Sequence, residues 1–288
     1  MANVRSIRKH IKSVESTRKI TRSMKMVSAA KLKRTQQAMN TLRPWSDAAE
    51  QMLARVCADA ASKAHPILRK RECRRVLYVL LLGNRGLCGV YNTALLKYME
   101  GLAERETRDF SVLVCGRWGR DLIAASTLPV EETIDTLSDA PTAEEADALA
   151  DRLGELYLSG GADEIVLVYE RYYSALRQEP DKKRLLPVEP AAAEETRLIF
   201  EPDERAILDE LVRLYLHGTV WATLLEAKTG EHSARMTAMT AATDNTEQLL
   251  ETLSLELNHA RQSAITKEIT EIVGGANALH DAKEGKRA

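Results

Sequence analysis

Residues 1–43 contain neither glycine nor proline, and no proline follows Pro202. Between Pro202 and Gly274 only Gly218 and Gly230 dilute the helix-forming residues. Glycine and proline oppose a helix interior by about 1 and 3 kcal/mol per residue. One stretch free of them and one nearly so, at opposite ends of one chain, therefore predict two long helices. If residues 204–273 are mostly helical, they span on the order of 100 Å, which exceeds a compact domain of this size.

Each stretch carries one narrow apolar seam. Val4, Ile7, Ile11 and Val14 step by helical intervals, which predicts one buried face. The spacing then slips by one position and resumes at Ile20, Met24 and Val27, followed by the small residues Ser28, Ala29 and Ala30. Pro44 is expected to kink or interrupt this helix. The pattern continues at Ala49, Met52 and Val56. In the other stretch Leu250, Leu253, Leu257, Ala260 and Ala264 form a heptad seam, resumed after a slip by Ile265, Ile269, Ile272 and Ala276. Two such helices satisfy each other best by pairing antiparallel, with Met24 and Val27 facing the C-terminal partner. Their charges agree: residues 1–34 carry a net +10, whereas residues 244–278 hold six acids and two bases. Two surface helices on a globular body are the alternative. Aromatic residues make up only 5% of the chain, which favours narrow seams over an aromatic-rich core.

The middle alternates strand and helix patterns. VLYVLLL (76–82) suits a strand buried on both faces, followed by a Gly-rich turn and a helix at about 92–105. FSVLVCG (110–116) and EIVLVYE (164–170) predict further strands, with helices over 117–126 and 142–159, the latter stopped by Gly160 and Gly161. RLLPVEP (184–190) suits an edge strand, where Pro187 is tolerated. This alternation implies an open, Rossmann-like α/β sheet. The predicted fold is thus α/β plus coiled coil. A shaft helix spans 1–60, an inserted α/β domain 61–203, a second shaft helix 204–278 and a mobile tail 279–288.

Little in the sequence points to chemistry. GNRGLCG places Gly83, Gly86 and Gly89 between a strand and a helix, where dinucleotide folds hold phosphate. The spacing is GxxGxxG, no acid ends the next strand and no GK[ST] follows, so a tight packing turn is the plainer reading. Cys88 in this turn could be activated at a helix N-terminus, but without an evident base it reads as a small buried residue. The six histidines are scattered without ligand spacing. Glu144 and Glu145 read as a solvated pair. No cofactor or metal is expected. Four cysteines without CxxC spacing are expected to be free thiols in a reducing compartment. Residues 1–26 lack the apolar core of a secretory signal, and no apolar run approaches the ~20 residues of a membrane span. No direct membrane insertion is expected, and a cytoplasmic placement follows. The basic N-terminal stretch could grip nucleic acid, but it lacks stacking aromatics and any nucleic-acid motif.

Three stretches together resemble the γ subunits of F-type ATP synthases: KITRSMKMVSAAKL (19–32), NRGLCGVYN (84–92) and, most specifically, ITKEITEIVGGANA (265–278), with HSARMTAMTAATDN (232–245) extending the likeness. The resemblance implies a non-catalytic central shaft. It would turn inside a ring of α and β subunits, with the ε subunit and a membrane rotor ring of c subunits at its foot. It would work on the cytoplasmic face of the cell inner membrane and bind no nucleic acid. Ion flow would turn the ring and drive ATP synthesis or hydrolysis at the β subunits. The resemblance also implies which residues touch the α/β ring: Arg22, Met24 and Lys25 on the first helix, and Arg235, Arg261, Gln262, Thr266 and Glu268 on the last. A coiled-coil scaffold with a partner-binding α/β domain, or a nucleotide-dependent enzyme using the GNRGLCG turn, would be the competing classes.

Overall fold

A computed structural model describes residues 4–57, 65–68, 71–123, 126–188 and 204–284. It divides into two compact units, Met1–Met24 with Met239–Ala288, and Lys25–Ala238. The long helix α1 (Val4–Cys57) and the last helix of the chain (Glu204–Glu284) each contribute to both.

In the first unit the two helices lie antiparallel. Buried or half-buried positions on α1 are Val4, Ile7, Ile11, Val14, Arg18 and Thr21, alternating steps of three and four. The partner helix answers with Met239, Thr243, Thr246, Leu250, Leu253, Leu257 and Ala260 on the same alternation. The hydroxyls of Thr21 and Thr243 meet in the seam at 3.0 Å. A polar pair at one seam layer fixes register at some cost in stability. Stepping outward from that pair places Val4 opposite Ala260, which is where burial on the last helix ends.

The α1 seam does not slip as the apolar residues suggested. Ile20 and Val27 are 58% and 54% exposed. Arg18, Thr21, Lys25 and Ser28 hold the seven-residue repeat instead, so the helix keeps its facing stripe at the expense of apolar content. Met24 is only half-buried. On the last helix Ala264, Ile265, Ile269 and Ile272 are likewise exposed, because the pairing ends before them.

In the second unit the repeat continues on α1 through Leu32, Thr35, Met39, Ser46, Ala49, Leu53 and Val56. Leu53 is fully buried, whereas Met52, expected in the seam, is 60% exposed. Pro44 does not interrupt the helix. It faces outward, and a proline on the outer face removes one backbone bond without disturbing the packed side. A Cβ placed on Gly218 would stand 3.9 Å from Ser46 Cα, so the two helices approach closely there.

The inserted α/β part reads β1 (Arg75–Leu81), α2 (Tyr91–Ala103), β2 (Asp109–Cys115), α3 (Arg117–Ile123), β3 (Val130–Ile134), α4 (Ala143–Leu158), β4 (Glu164–Ser174) and β5 (Arg177–Leu186), before α5 (Glu204–Glu284). The sheet order is β3-β2-β1-β4-β5. The first four strands are parallel and β5 is antiparallel to β4. Both faces are covered, which explains the unbroken apolar runs. Leu77, Val79 and Leu81 pack with Leu113, Leu167, α4 and Leu208–Leu224 of α5, together with Leu53 and Val56 of α1. Val76, Tyr78 and Leu80 pack with Val112, Val168 and α2.

The sheet's two edges differ from the sequence reading. β3 escaped notice because VEETI is a charged, largely exposed edge strand. The last strand is Arg177–Leu186 rather than 184–190, with Pro180 tolerated on the free edge. Its predicted residues 189–190 lie outside the described residues. Helix α5 passes through Gly274 and Gly275 to Glu284, and residues 285–288 lie outside the described residues.

Candidate functional site

The turn after β1 is where a phosphate cradle would have to form, and several of its polar groups are already engaged, although Asn84 Oδ1 is buried without a hydrogen-bond partner among the described residues. Gly83 N–H donates to Asn92 Oδ1 at 2.8 Å, a residue in the first turn of α2. A Cβ on Gly83 would stand 3.0 Å from Glu231 Cδ, so a larger residue there would crowd the Glu231 carboxylate against the turn. Arg235 closes the turn from the other side, donating to Arg85 O at 3.0 Å and Gly86 O at 3.3 Å. Tyr91 anchors the start of α2 by donating to Ala227 O at 2.9 Å. Gly116, just after β2 and at φ +114°, lets the neighbouring end of β1 pass close by: a Cβ there would stand 2.3 Å from Leu82 O. The small residues thus bring a turn and a helix together, as the packing reading expects.

Arg235 belongs to a buried charge cluster. Glu231 is 1% exposed and accepts from Lys228 Nζ at 2.8 Å and from Arg235 at 2.7 Å. Spacings of three and four put all three side chains on one helix face. Burial acts to raise the Glu231 carboxyl, but the two cations outweigh it and hold it below the usual carboxylate range. His232 donates through Nε2 to Asp139 O at 2.8 Å, and its Nδ1 lies 3.4 Å from the Arg235 guanidinium. That geometry fits the neutral ring, and burial pushes its pKa down. Asp139 is paired with Lys31 of α1 at 2.5 Å and lies 3.7 Å from Arg85. Burial opposes its ionisation, but the Lys31 hydrogen bond and charge, with help from Arg85, hold it at about 2. Asn84 Nδ2 donates to Leu137 O at 2.6 Å. The cluster therefore ties the turn, the loop before α4, α1 and α5 into one joint.

Cys88 in this turn is 2% exposed, with burial as the main cause of its raised pKa. It is a packed small residue, not an activated thiol. Glu145, read from sequence as solvated, instead closes a capping box with Thr142 and accepts from Ser138. No group of three or more candidate metal ligands occurs among the described residues.

The contact residues expected from the sequence fall into two groups. Arg22, Arg261, Gln262, Thr266 and Glu268 are exposed, and Met24 and Lys25 are half-buried. Arg235 differs: it is 6% exposed and its guanidinium is spent inside the chain, so it does not present itself to a neighbour. The sequence reading missed Lys228, Glu231 and His232, although a charged triplet at helical spacing inside TLLEAKTGEHSAR was the available signal.

Beyond Ala260, α5 has no helix beside it among the described residues, and its side chains are exposed through Ala276. Ile265, Ile269, Ile272 and Val273 are 45–71% exposed there, interleaved with Arg261, Glu268 and Glu271. An exposed apolar stripe of this kind marks a surface that meets protein.

The profile of the ATP synthase family matches residues 3–279. The ATP synthase gamma chain of Desulfitobacterium hafniense is 42% identical over 280 residues, covering 97% of this chain and all of that relative. The chain belongs to the ATP synthase gamma chain family. The gamma chain of Desulforamulus reducens is 41% identical over 286 residues, with 97% and 100% coverage. The fold is shared with solved structures at lower identity. A chain of the Euglena gracilis mitochondrial ATP synthase (OSCP/F1/c-ring, rotational state 3) superposes with a TM-score of 0.69 at 20% identity, over 97% of this gamma chain and 95% of that one. A chain of the Tetrahymena thermophila central stalk and c-ring superposes at 0.61 and 21%, over 77% and 99%. No helix among the described residues of this gamma chain is long and apolar enough to cross a membrane.

Proposed function

We infer that the chain is the central rotating shaft of an F-type ATP synthase. It couples ion-driven rotation of a membrane ring to ATP synthesis or hydrolysis at catalytic β subunits. It performs no chemistry itself. The observation that carries this reading is the correspondence with gamma chains over 97% of this chain and the whole of each relative.

In this reading the α and β subunits surround the paired terminal helices and the bare end of α5. The ε subunit and the ring of c subunits hold the sheet domain, on the cytoplasmic face of the cell inner membrane. Arg22, Met24 and Lys25 on α1, and Arg261, Gln262, Thr266 and Glu268 on α5, are the side chains offered to the α/β ring. Arg235 acts one step back, holding the turn 83–89 against α5 so that torque on one reaches the other. A shaft acts by forcing each β subunit through states of different nucleotide affinity, a mechanical bias on a multistate equilibrium.

The test is co-expression with the α and β subunits of the same synthase. Recovery of a stoichiometric complex whose ATP hydrolysis requires this chain is expected. A chain that stays free, or a complex equally active without it, would remove the shaft reading.

A further inference from the structure

The β4–β5 hairpin, α1 and α5 enclose a cavity of about 580 Å³ that the joint around Arg235 does not use. Cavities of about 300–1,000 Å³ are of the size that encloses a small organic molecule. Arg43 and Ser46 enter this one from α1, Tyr169 and Arg171 from β4, Lys182 from β5 and Glu226 from α5.

Two buried hydroxyls line the cavity without a partner. Tyr169 is 5% exposed, and no hydrogen bond reaches its hydroxyl among the described residues. The charges it feels are those of Glu226, Asp181, Arg171 and Arg43, all lining groups, so the hydroxyl points into the cavity. Burial, followed by Glu226, pushes its pKa up, which keeps it a donor. Ser46 is 3% exposed, and its hydroxyl likewise makes no hydrogen bond among the described residues. Buried polar groups in folded proteins almost always have a partner, so two such donors at one cavity call for an acceptor inside it.

The charged groups point the same way. Glu226 Oε1 accepts from Arg43 and from Tyr172 N–H, each at 3.1 Å. Asp181 accepts from Arg171 at 3.2 Å and from Lys182 N–H at 2.8 Å. Lys183 is satisfied by Glu50 at 2.6 Å. Asp47, also a lining acid, is exposed and stays hydrated. The buried acids are thus engaged within the chain. Arg43 and Arg171 each use one nitrogen in these pairs and keep further N–H donors in the planar fork. The Lys182 ammonium has no partner among the described residues. A surface with donors in excess and positive charge fits a group that carries several anionic oxygens, and guanidinium forks match phosphate geometry.

We propose that this cavity binds a small phosphate-bearing molecule, with Arg43, Arg171 and Lys182 holding the phosphate oxygens and the hydroxyls of Tyr169 and Ser46 donating to the same molecule. The ligand touches α1, the hairpin and α5 at once, so its binding stabilises their packing by mass action. The site is separate from the turn 83–89, where the sequence alone suggested a phosphate.

The test is isothermal titration of the full chain, without magnesium and at about 0.15 M salt, with ADP, pyrophosphate and adenosine. Saturable one-to-one binding of ADP or pyrophosphate is expected, and adenosine should not bind. The tighter of the two phosphates tells an organic from an inorganic ligand. Lys182→Ala and Arg171→Gln should each weaken binding about tenfold, the loss of one charge-assisted hydrogen bond. Tyr169→Phe keeps the ring and removes only the unpartnered hydroxyl, so it should weaken binding while leaving the thermal midpoint unchanged. In hydrogen exchange the ligand should protect residues 41–48 and 168–184 and leave the turn 83–89 as it was. Failure of both phosphates to bind overturns the proposal. So do adenosine binding as tight as that of ADP, unaltered affinity in all three variants, and protection confined to the turn 83–89.

Discussion

Replacing Arg235 by Met tests whether the buried cluster is the joint it is described to be. The methionine fills similar volume without charge or donors. Glu231 keeps Lys228 but loses its 2.7 Å contact with Arg235, and the carbonyls of Arg85 and Gly86 lose their donor. Breaking one partner of a buried ion pair costs about 3–5 kcal/mol, because the other charge stays buried. For a chain of this size each kcal/mol moves the thermal midpoint by about 2–4 °C, so a fall on the order of 10 °C is expected. Arg235→Lys keeps the charge but cannot fork between Glu231 and two carbonyls, so about 1–2 kcal/mol should be lost. Thermal unfolding of the full chain at fixed pH and salt provides the measurement. A midpoint for Arg235→Met within about 1 kcal/mol of the unaltered chain would refute the reasoning, because it would mean that the guanidinium is not needed to hold turn and helix together.

Gly116→Ala should prevent stable folding or cost several kcal/mol, since its Cβ would stand 2.3 Å from Leu82 O at a backbone φ of +114°; soluble yield and thermal midpoint report it. Cys88 and Cys115 should resist a polar disulfide reagent at mildly alkaline pH and react only after unfolding. Both are buried, and burial pushes Cys115 up to about 12; rapid labelling of the folded chain would contradict the closed turn. Arg261→Ala should leave the stability of the isolated chain unchanged, because the residue is exposed, yet lower ATP turnover of the assembled complex, with Arg261→Lys recovering only part. ATPase assays with subunit stoichiometry measured on the same sample separate these outcomes.

Patterns that repeat over many residues were legible in the sequence. The breaker-free ends gave both long helices, and VLYVLLL, FSVLVCG and EIVLVYE marked three strands buried on both faces. The seam on α1 was misread because Ile20 and Val27 offer a locally better apolar spacing than Arg18, Thr21 and Lys25. Only the partner helix reveals that the polar residues keep the register. β3 was hidden because edge strands are charged on purpose. The joint was hidden for a different reason. Lys228 and Glu231 were missed and Arg235 was expected at a partner surface, because their burial depends on a turn almost 150 residues earlier.

The central claim is that this chain turns inside a ring of catalytic subunits, and rotation is the direct observable. Thr107 is an exposed residue on the sheet domain between α2 and β2. With Thr107→Cys carrying an optical probe, and the chain assembled with surface-anchored α and β subunits, ATP should drive continuous rotation of the probe in one direction. Rotation should stop when ATP is withdrawn. Sustained ATP hydrolysis by the same complexes with a stationary probe would contradict the account.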